Sequence, residues 1–112
     1  MSSNIKTIKH RSTFLKVKDQ GQYIRGKYLN LNFLEDPSID NAIFVGYLVT
    51  KKLGNAVKRN KAKRILRELA KKVITKYGKT NSYYVLIAKN SIFNCSFDEK
   101  KNDLKDIISW KA

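Results

Sequence analysis

Residues 51–72 read KKLGNAVKRNKAKRILRELAKK, and the rest of the chain is predicted to fold around this segment. Between Lys58 and Lys72 it carries eight lysine or arginine residues and one acid, Glu68. Apolar residues recur in it at intervals of three and four, which is typical of an amphipathic helix. These apolar positions are Ala62, Ile65, Leu66, Leu69, Ala70 and Val73. The segment therefore predicts a helix with one face against a core and a cationic face in water.

The cationic face is predicted to form a row along the helix, because successive residues turn by about 100°. The row consists of Arg59, Lys63, Arg67 and Lys71, with Asn60 and Arg64 beside it. Lysine-rich helix faces are often only solvated surface. Like charges four residues apart repel, however, and one acid, Glu68, cannot relieve the repulsion among eight cations. This density of charge favours a polyanionic partner.

Length and charge define the broad class of the protein. The chain has 112 residues, a net charge of +15 and a pI near 10.0, which indicate one domain that binds nucleic acid or an anionic surface. Its longest apolar run, residues 42–49, is too short to span a membrane. Residues 1–11 lack the continuous apolar segment of a signal peptide. We therefore expect a cytoplasmic protein without membrane association, folded as a single domain over residues 1–112 that binds nucleic acid.

The first half of the chain predicts an arm, a helix and two or three strands. Residues 1–11 are polar and basic and are expected to form a flexible arm. A short helix follows and ends at Gly21. Alternating residues over 23–34 predict one half-buried strand. Its polar face carries Tyr28, Asn30 and Asn32. Two interpretations of this face are equally consistent with the sequence: a solvated face of the sheet, or a surface that binds nucleic-acid bases. Residues 42–50 are apolar on both faces and predict a central strand, in which Gly46 leaves room for a close neighbour.

The second half predicts helix, strand and helix. The basic helix is expected to end at Gly78, and residues 82–88 form another strand. Ser96 and Glu99 have the spacing of a capping box that opens a last helix. The strand, helix and strand over residues 42–88 allow a parallel pair of strands, normally with a right-handed crossover. The elements together predict an α+β sandwich with one sheet.

The sequence offers no catalytic constellation of its own. His10 is the single histidine and Cys95 the single cysteine, and neither is spaced as part of a zinc site. The acids lie in a turn and on the last helix, or stand alone, outside the apolar surroundings that tune a general acid or base. We expect no catalytic residue, no metal held by the protein alone and no small-molecule substrate.

The block over residues 51–68 resembles the protein subunit of bacterial ribonuclease P. The signature of that family is a Lys-Lys-x-Gly-Asn-Ala-Val segment followed by an Arg-Asn-Arg-x-x-(Lys)-Arg helix. The resemblance covers nearly the whole chain, including residues 14–17 with Gly21, the strand around 44–46 and the strand around 84–88. One position departs from the signature, because Lys61 replaces its second arginine, which keeps the charge but loses bidentate phosphate geometry.

The resemblance implies a fold and an activity. The family fold is a single-domain α-β-β-β-α-β-α sandwich whose βαβ crossover is left-handed, in place of the usual right-handed one. The family forms a ribonucleoprotein endonuclease that removes the 5′ leader from precursor tRNA. Its RNA subunit is the catalyst and binds most of the Mg²⁺. The implied partners are this catalytic RNA and precursor tRNA.

The resemblance also implies two sets of RNA-binding residues. The set for the catalytic RNA is Lys51, Lys52, Asn55, Arg59, Asn60, Lys61, Lys63, Arg64 and Arg67. The set for the precursor-tRNA leader is Phe14, Val17, Tyr28, Asn30 and Asn32. Some relatives carry an aromatic residue where this chain has Asn32, and Tyr28 is expected to replace it.

Three other functions stay open at this point. A ribosomal or assembly-type RNA-binding protein would share the charge and size, but it would not need the Gly-Asn-Ala-Val block. A helix-turn-helix DNA-binding protein would need a second helix within a short turn, whereas strands are predicted on both sides of the basic helix. An autonomous nuclease would hydrolyse RNA without an RNA subunit.

Overall fold

The computed structural model of the protein describes residues 5–39 and 41–109 and contains one mixed sheet with helices on both faces. The strands are β1 (Ile5–Thr7), β2 (Gln22–Arg25), β3 (Leu29–Glu35), β4 (Ile43–Leu48) and β5 (Ser82–Ala88). The helices are α1 (Arg11–Gln20), α2 (Ala56–Leu69), α3 (Thr75–Tyr77) and α4 (Phe97–Ser109). A π-helical segment, Ala70–Ile74, joins α2 to α3 without a break, and short 3₁₀ turns occupy Lys51–Leu53 and Asn90–Phe93.

The strand order across the sheet is β1-β4-β5-β3-β2. β4 is parallel to both β1 and β5, whereas β3 is antiparallel to both β5 and β2. The predicted α+β class and the parallel pair that flanks the basic helix are therefore confirmed. The long helix ends at Gly78, as the sequence predicts.

The main core lies between one face of the sheet and helices α2 and α4. From α2 it takes Ala62, Leu66 and Leu69, which are all fully buried. β3 contributes Leu29, Leu31 and Phe33, and α4 contributes Leu104, Ile107 and Ile108. The apolar positions of the basic helix thus face the sheet at the predicted spacing, except that Ile65 is only half-buried at the margin.

The opposite face of the sheet is covered by α1 over a smaller satellite core, which we define as Ile8, Val17, Tyr83 and Val85. Alternation along each strand separates the two cores, because successive side chains point to opposite faces. On β3, for example, Leu31 and Phe33 belong to the main core while Asn30 and Asn32 belong to the α1 face.

The prediction of a flexible arm over residues 1–11 is wrong for residues 5–8. Ile5–Thr7 pair in parallel with β4, and the Ile8 amide donates to the Val45 carbonyl at 2.9 Å. Ile8 is buried in the satellite core and Ile5 packs against the main core, so two isolated apolar side chains hold this strand to both faces of the sheet. Residues 1–4 lie outside the described residues.

The prediction of one continuous strand over residues 23–34 is also wrong. The chain turns at residues 26–28, and β2 and β3 form an antiparallel hairpin in which Tyr23 lies opposite Asn32. The turn is held by α4, because the Asp103 carboxylate accepts hydrogen bonds from the amides of Lys27 (3.0 Å) and Tyr28 (2.8 Å). The Ser91 hydroxyl adds a bond to the Lys27 carbonyl at 2.7 Å.

Helix α4 is positioned to make this contact by its own cap. The Ser96 amide donates to the Glu99 carboxylate at 2.9 Å, and the Glu99 amide donates to the Ser96 hydroxyl at 3.1 Å. The capping box predicted from the sequence is therefore confirmed. The bonds from the Ser96 amide and hydroxyl, followed by the bond from the Tyr28 hydroxyl, hold the pKa of Glu99 below its ordinary value.

We predict that Asp103→Ala destabilises the protein strongly. The change leaves two backbone amides of the turn without their charged acceptor, and each such bond contributes about 1.5–3 kcal/mol. We expect a loss of about 2–5 kcal/mol in the free energy of unfolding, measured by urea denaturation. Asp106→Ala on the exposed face of the same helix is the control and should change stability by less than about 0.5 kcal/mol. Equal effects of the two substitutions would contradict this role for Asp103.

Candidate RNA interface

The start of the basic helix is built by residues 53–58. Leu53 is buried and fixes the 3₁₀ turn, so that Lys51 and Lys52 remain exposed before it. Gly54 follows with φ +125°, a backbone conformation that side-chain-bearing residues rarely adopt. Asn55 is the N-cap of α2, and its side-chain oxygen accepts a hydrogen bond from the Lys58 amide at 3.0 Å. The Gly-Asn pair thus has a structural role: it sets the direction in which α2 leaves the turn.

The exposed side of α2 carries a shallow depression of about 410 Å³. It is lined by Val57, Asn60, Lys61, Arg64 and Arg67, and we call these residues the basic surface. Val57 is 76% exposed, so the cations surround an apolar side chain in water. The depression combines apolar contact with positive charge.

The predicted cations of α2 fall into two groups that differ in solvent exposure. Lys61, Arg64 and Arg67 are exposed on the basic surface, whereas Arg59 and Lys63 are half-buried at its margin, nearer the apolar stripe. The sequence analysis put Arg59 and Lys63 in the main row and missed Val57. The spacing of residues 57, 60, 61 and 64 is also helical, and it could have identified this centre of the face.

The cations of α2 lack acidic partners inside the described part of the protein. The three ion pairs found there join Lys16 to Asp36, Lys79 to Glu35 and Lys101 to Asp98. None involves a residue of α2, and its first turn contains no acid. The charge of this helix is therefore available to a partner outside the fold.

On the other face of the sheet, a groove of about 730 Å³ runs between α1 and the strands. Its helical wall is formed by Arg11, Phe14, Leu15 and Lys18. Its floor and far side are formed by Leu48 of β4, Val85 and Ile87 of β5, Asn32 of β3 and Tyr23 of β2. Apolar and aromatic surface lines the middle, and cations stand on the helical wall. Single-stranded nucleic acids bind surfaces of this kind through stacked bases and neutralised phosphates.

Tyr23 supplies the exposed aromatic ring of this groove. It is 50% exposed, and its hydroxyl accepts a hydrogen bond from the Asn30 side-chain amide at 2.7 Å. The Asn30 oxygen in turn accepts from the Gly26 amide at 3.2 Å. Asn30 therefore lies on the predicted face, where its side chain orients Tyr23.

Asn32 lies on the groove floor with an unused hydrogen-bonding atom. The residue is 7% exposed, and its side-chain oxygen is the one buried polar side-chain atom in residues 5–39 and 41–109 that has no partner. Buried polar groups are normally hydrogen-bonded, so an unpaired one at a groove is unusual. The sequence prediction that placed Asn32 in this groove is consistent with its position.

Two residues predicted to contact the leader are not in the groove. Val17 is fully buried in the satellite core. Tyr28 belongs to the hairpin turn rather than to the strand and packs against the main core, where its hydroxyl donates to Glu99 at 3.3 Å. Burial, and next the charge of Glu99, raise the pKa of the Tyr28 hydroxyl. Neither residue lines the groove: Val17 points into the satellite core, and the turn at 26–28 breaks the alternation on which the Tyr28 assignment depended.

Sequence reasoning missed Tyr23, the aromatic ring that does face the groove. The signal was available, because Gly26 followed by Lys27 interrupts the apolar alternation and allows a turn. Once residues 22–25 are a separate strand, antiparallel pairing places Tyr23 opposite Asn32. Tyr23 therefore takes the place for which the sequence analysis considered Tyr28.

Helix α1 is held in place by an ion pair at the end of the sheet away from the groove. The Lys16 amine contacts the Asp36 carboxylate at 2.7 Å, and the Asp36 carboxylate also accepts bonds from the amide and hydroxyl of Ser38. Lys16 and then Ser38 lower the pKa of Asp36 to about 2. The pair stays ionised at neutral pH and ties the helical wall of the groove to the loop after β3.

Acidic, histidine and cysteine side chains do not converge anywhere in the described chain. Residues 5–39 and 41–109 contain no group of three or more of them that could hold a metal ion. Separately, none of the helices in the same ranges is long and apolar enough to cross a membrane.

Comparison with known proteins agrees with this geometry. A family model described as Ribonuclease P matches residues 3–110. The ribonuclease P protein component of Ruegeria pomeroyi is 37% identical over 105 residues, which cover 93% of this chain and 84% of the relative. That of Bacillus pumilus is 31% identical over 105 residues, covering 94% and 87%.

Solved structures of RNase P proteins have the same fold as this chain. The Staphylococcus aureus RNase P protein superposes with a TM-score of 0.77 at 27% identity and covers 94% of each chain. The RNase P protein of Thermotoga maritima superposes with a TM-score of 0.80 at 20% identity, which shows that the fold is shared. The family match excludes the ribosomal and helix-turn-helix alternatives. The chain belongs to the ribonuclease P protein family and is a protein component of that ribonucleoprotein.

Proposed function

We propose that this chain binds the catalytic RNA of ribonuclease P through the basic surface of α2 and the 5′ leader of precursor tRNA through the groove beside α1. The observation that carries the proposal is the presence of two exposed sites with different chemistry on opposite faces of one sheet. One is cationic and lacks acidic partners, and the other is lined by aromatic and apolar groups.

The basic surface suits a folded RNA. Arg64 and Arg67 project from a rigid helix, and arginine can bind phosphate oxygens in a bidentate manner. Lys61 contributes charge beside them, and Lys51 and Lys52 extend the positive surface toward the turn before α2. Contacts of this type hold an RNA in register without reading its sequence.

The groove suits a single strand. Tyr23 offers a ring face to a base, and Val85 and Ile87 offer an apolar floor. Arg11 and Lys18 on α1 are placed to neutralise the phosphates that pass along the same wall. A leader bound in this way would anchor the precursor tRNA more strongly than the mature tRNA, which lacks a leader.

In this proposal the RNA subunit and its Mg²⁺ carry out hydrolysis, and the protein contributes charge and position. Mg²⁺ supplies the activated water and the charge stabilisation when it is bound to the RNA. Support comes from the family resemblance and from the chemistry of the two sites, both of which suit binding. The side chains of the chain hold the two RNAs and reduce the repulsion between their phosphates.

We predict that the protein stimulates cleavage of precursor tRNA by a bacterial ribonuclease P RNA most strongly at low Mg²⁺ and low salt. A charge of +15 on a small domain can replace cations that otherwise screen the two RNAs. The measurement is kcat/KM with and without the protein across a Mg²⁺ titration. Stimulation that stays constant as Mg²⁺ rises would contradict the proposal, as would hydrolysis by the purified protein without RNA.

The phosphate contacts are tested by the salt dependence of binding. Affinity for the catalytic RNA should fall log-linearly with salt, with a slope of about 0.7–0.9 per phosphate contacted. We expect Arg64→Ala to reduce this slope by about one unit. Lys105→Ala removes one charge from α4, away from the basic surface, and should leave the slope unchanged. If the two substitutions have equal effects, Arg64 is not a specific phosphate contact.

Tyr23→Ala tests the groove, with Tyr77→Ala as a matched control. The two tyrosines are 50% and 45% exposed, but Tyr77 lies on α3, away from the groove. Stacking on an aromatic ring contributes about 1–3 kcal/mol per base. Tyr23→Ala should therefore weaken the binding of long-leader precursors by the holoenzyme roughly tenfold and leave mature tRNA binding unchanged. Equal effects of the two alanines on leader binding would remove Tyr23 from the groove function.

A further inference from the structure

The phenyl ring of Phe14 rests on a glycine in the middle of the sheet. Gly46 is buried in β4, and Phe14 reaches it from α1. A Cβ atom at residue 46 would lie 2.5 Å from Phe14 Cε1 and 2.7 Å from Phe14 Cζ. It would also lie 3.2 Å from Ile8 Cδ1. Carbon atoms in contact are normally about 3.5–4.0 Å apart, so the ring occupies the space of the missing side chain.

The reason for glycine at this position is space and not backbone conformation. Among the glycines, only Gly54 has a positive φ, so the backbone of residue 46 allows any residue of a strand. Glycine otherwise weakens a strand interior, because it has no side chain to pack and more freedom to lose on folding. In β4 the space that it leaves is filled by a residue from another element.

The same phenyl ring is part of the groove. Phe14 is half-buried and lines the wall opposite Tyr23, while Leu48, two residues beyond Gly46 on the same face of β4, forms the floor. The depth of the ring in the sheet therefore sets how much of the groove is open. A ring raised from Gly46 would narrow the groove at this end.

Helix α1 cannot easily rise as a whole to make room for a side chain at residue 46. The C-terminal end of α1 is packed closely against β3. A Cβ atom at its C-cap residue, Gly21, would lie 2.5 Å from the carbonyl oxygens of both Phe33 and Val17. Val17 is fully buried, and Lys16 is paired with Asp36. A methyl group at residue 46 would therefore act mainly on the ring of Phe14.

We propose that Gly46 is a positioning residue for the leader groove, because its lack of a side chain seats Phe14 at the depth that keeps the groove open. This inference rests on the proposed function of the groove. It assigns Gly46 no contact with RNA, and its effect passes through Phe14.

The test is Gly46→Ala in the holoenzyme, assembled with a bacterial ribonuclease P RNA. Affinity is measured for fluorescent precursor tRNAs with a ten-nucleotide leader and for the same tRNA without a leader. We expect the alanine to weaken binding of the long-leader precursor roughly tenfold, the size of one lost stacking contact. Binding of the leaderless tRNA should not change.

A double-mutant cycle with Phe14→Leu shows whether the effect passes through the ring. Leucine lacks the Cε1 and Cζ atoms that an alanine at residue 46 would strike, so it relieves the conflict. Phe14→Leu alone should weaken long-leader binding, and adding Gly46→Ala should cause no further loss. If Gly46→Ala alone does not fold, the double variant should fold, with an unfolding temperature close to that of Phe14→Leu.

Val45→Ala controls for stability. Val45 is the neighbour of Gly46 but faces the main core, so its truncation lowers thermal stability without touching the α1 face. It should lower the unfolding temperature and leave the ratio of long-leader to leaderless affinity unchanged. A Val45→Ala protein that shows the same loss of leader binding as Gly46→Ala would overturn the inference, because the effect would then be one of stability.

The remaining outcomes separate the inference from the proposed function. If Phe14→Leu leaves leader binding intact, the groove does not bind the leader and the proposed function of the groove fails. If Phe14→Leu weakens leader binding but Gly46→Ala does not, only the positioning role fails. Additive losses in the double variant, or a double variant that does not recover folding, also overturn the positioning role.

Discussion

Burial of one face of α2 against the sheet is the constraint on which the rest of the structure depends. Ala62, Leu66 and Leu69 are fully buried, and each large apolar side chain contributes about 1.5–3 kcal/mol on burial. This burial must offset the mutual repulsion of the cations on the other side of the same helix. In proteins most of the stability of a helix comes from packing of its apolar face rather than from helix propensity. The sheet is therefore the support that makes the basic surface possible.

The period of a β-strand allows one sheet to serve both sites. On β3, Leu31 and Phe33 pack under α2 and α4, while Asn32 between them lines the groove on the opposite face. On β4, Val45 faces the main core and Gly46 receives the ring of Phe14. Packing that fixes the orientation of α2 therefore also fixes the floor of the groove. The basic surface and the groove are therefore supported by the same strands.

The sequence predicts those parts of the fold whose signals are local. The period of α2 and the Ser96–Glu99 capping box are visible in short segments, and both are confirmed. Strand β1 contains one apolar residue, Ile5, with Ile8 directly after it, and it forms because the edge of β4 offers partners that are distant in sequence. The hairpin turn depends on Asp103, about 75 residues away, so the positions of Tyr23 and Tyr28 could not be fixed from alternation alone.

Three of the nine acids are used where the fold itself needs a negative charge. Asp103 binds the amides of the hairpin turn, Glu99 caps α4, and Asp36 holds α1 through Lys16. These carboxylates are engaged by backbone amides or by cations away from α2. With 24 lysine and arginine residues against nine acids, such placement leaves the cations of α2 without internal neutralisation. The cations of α2, which form none of the ion pairs in the described residues, are then the ones that a chain of phosphates can neutralise.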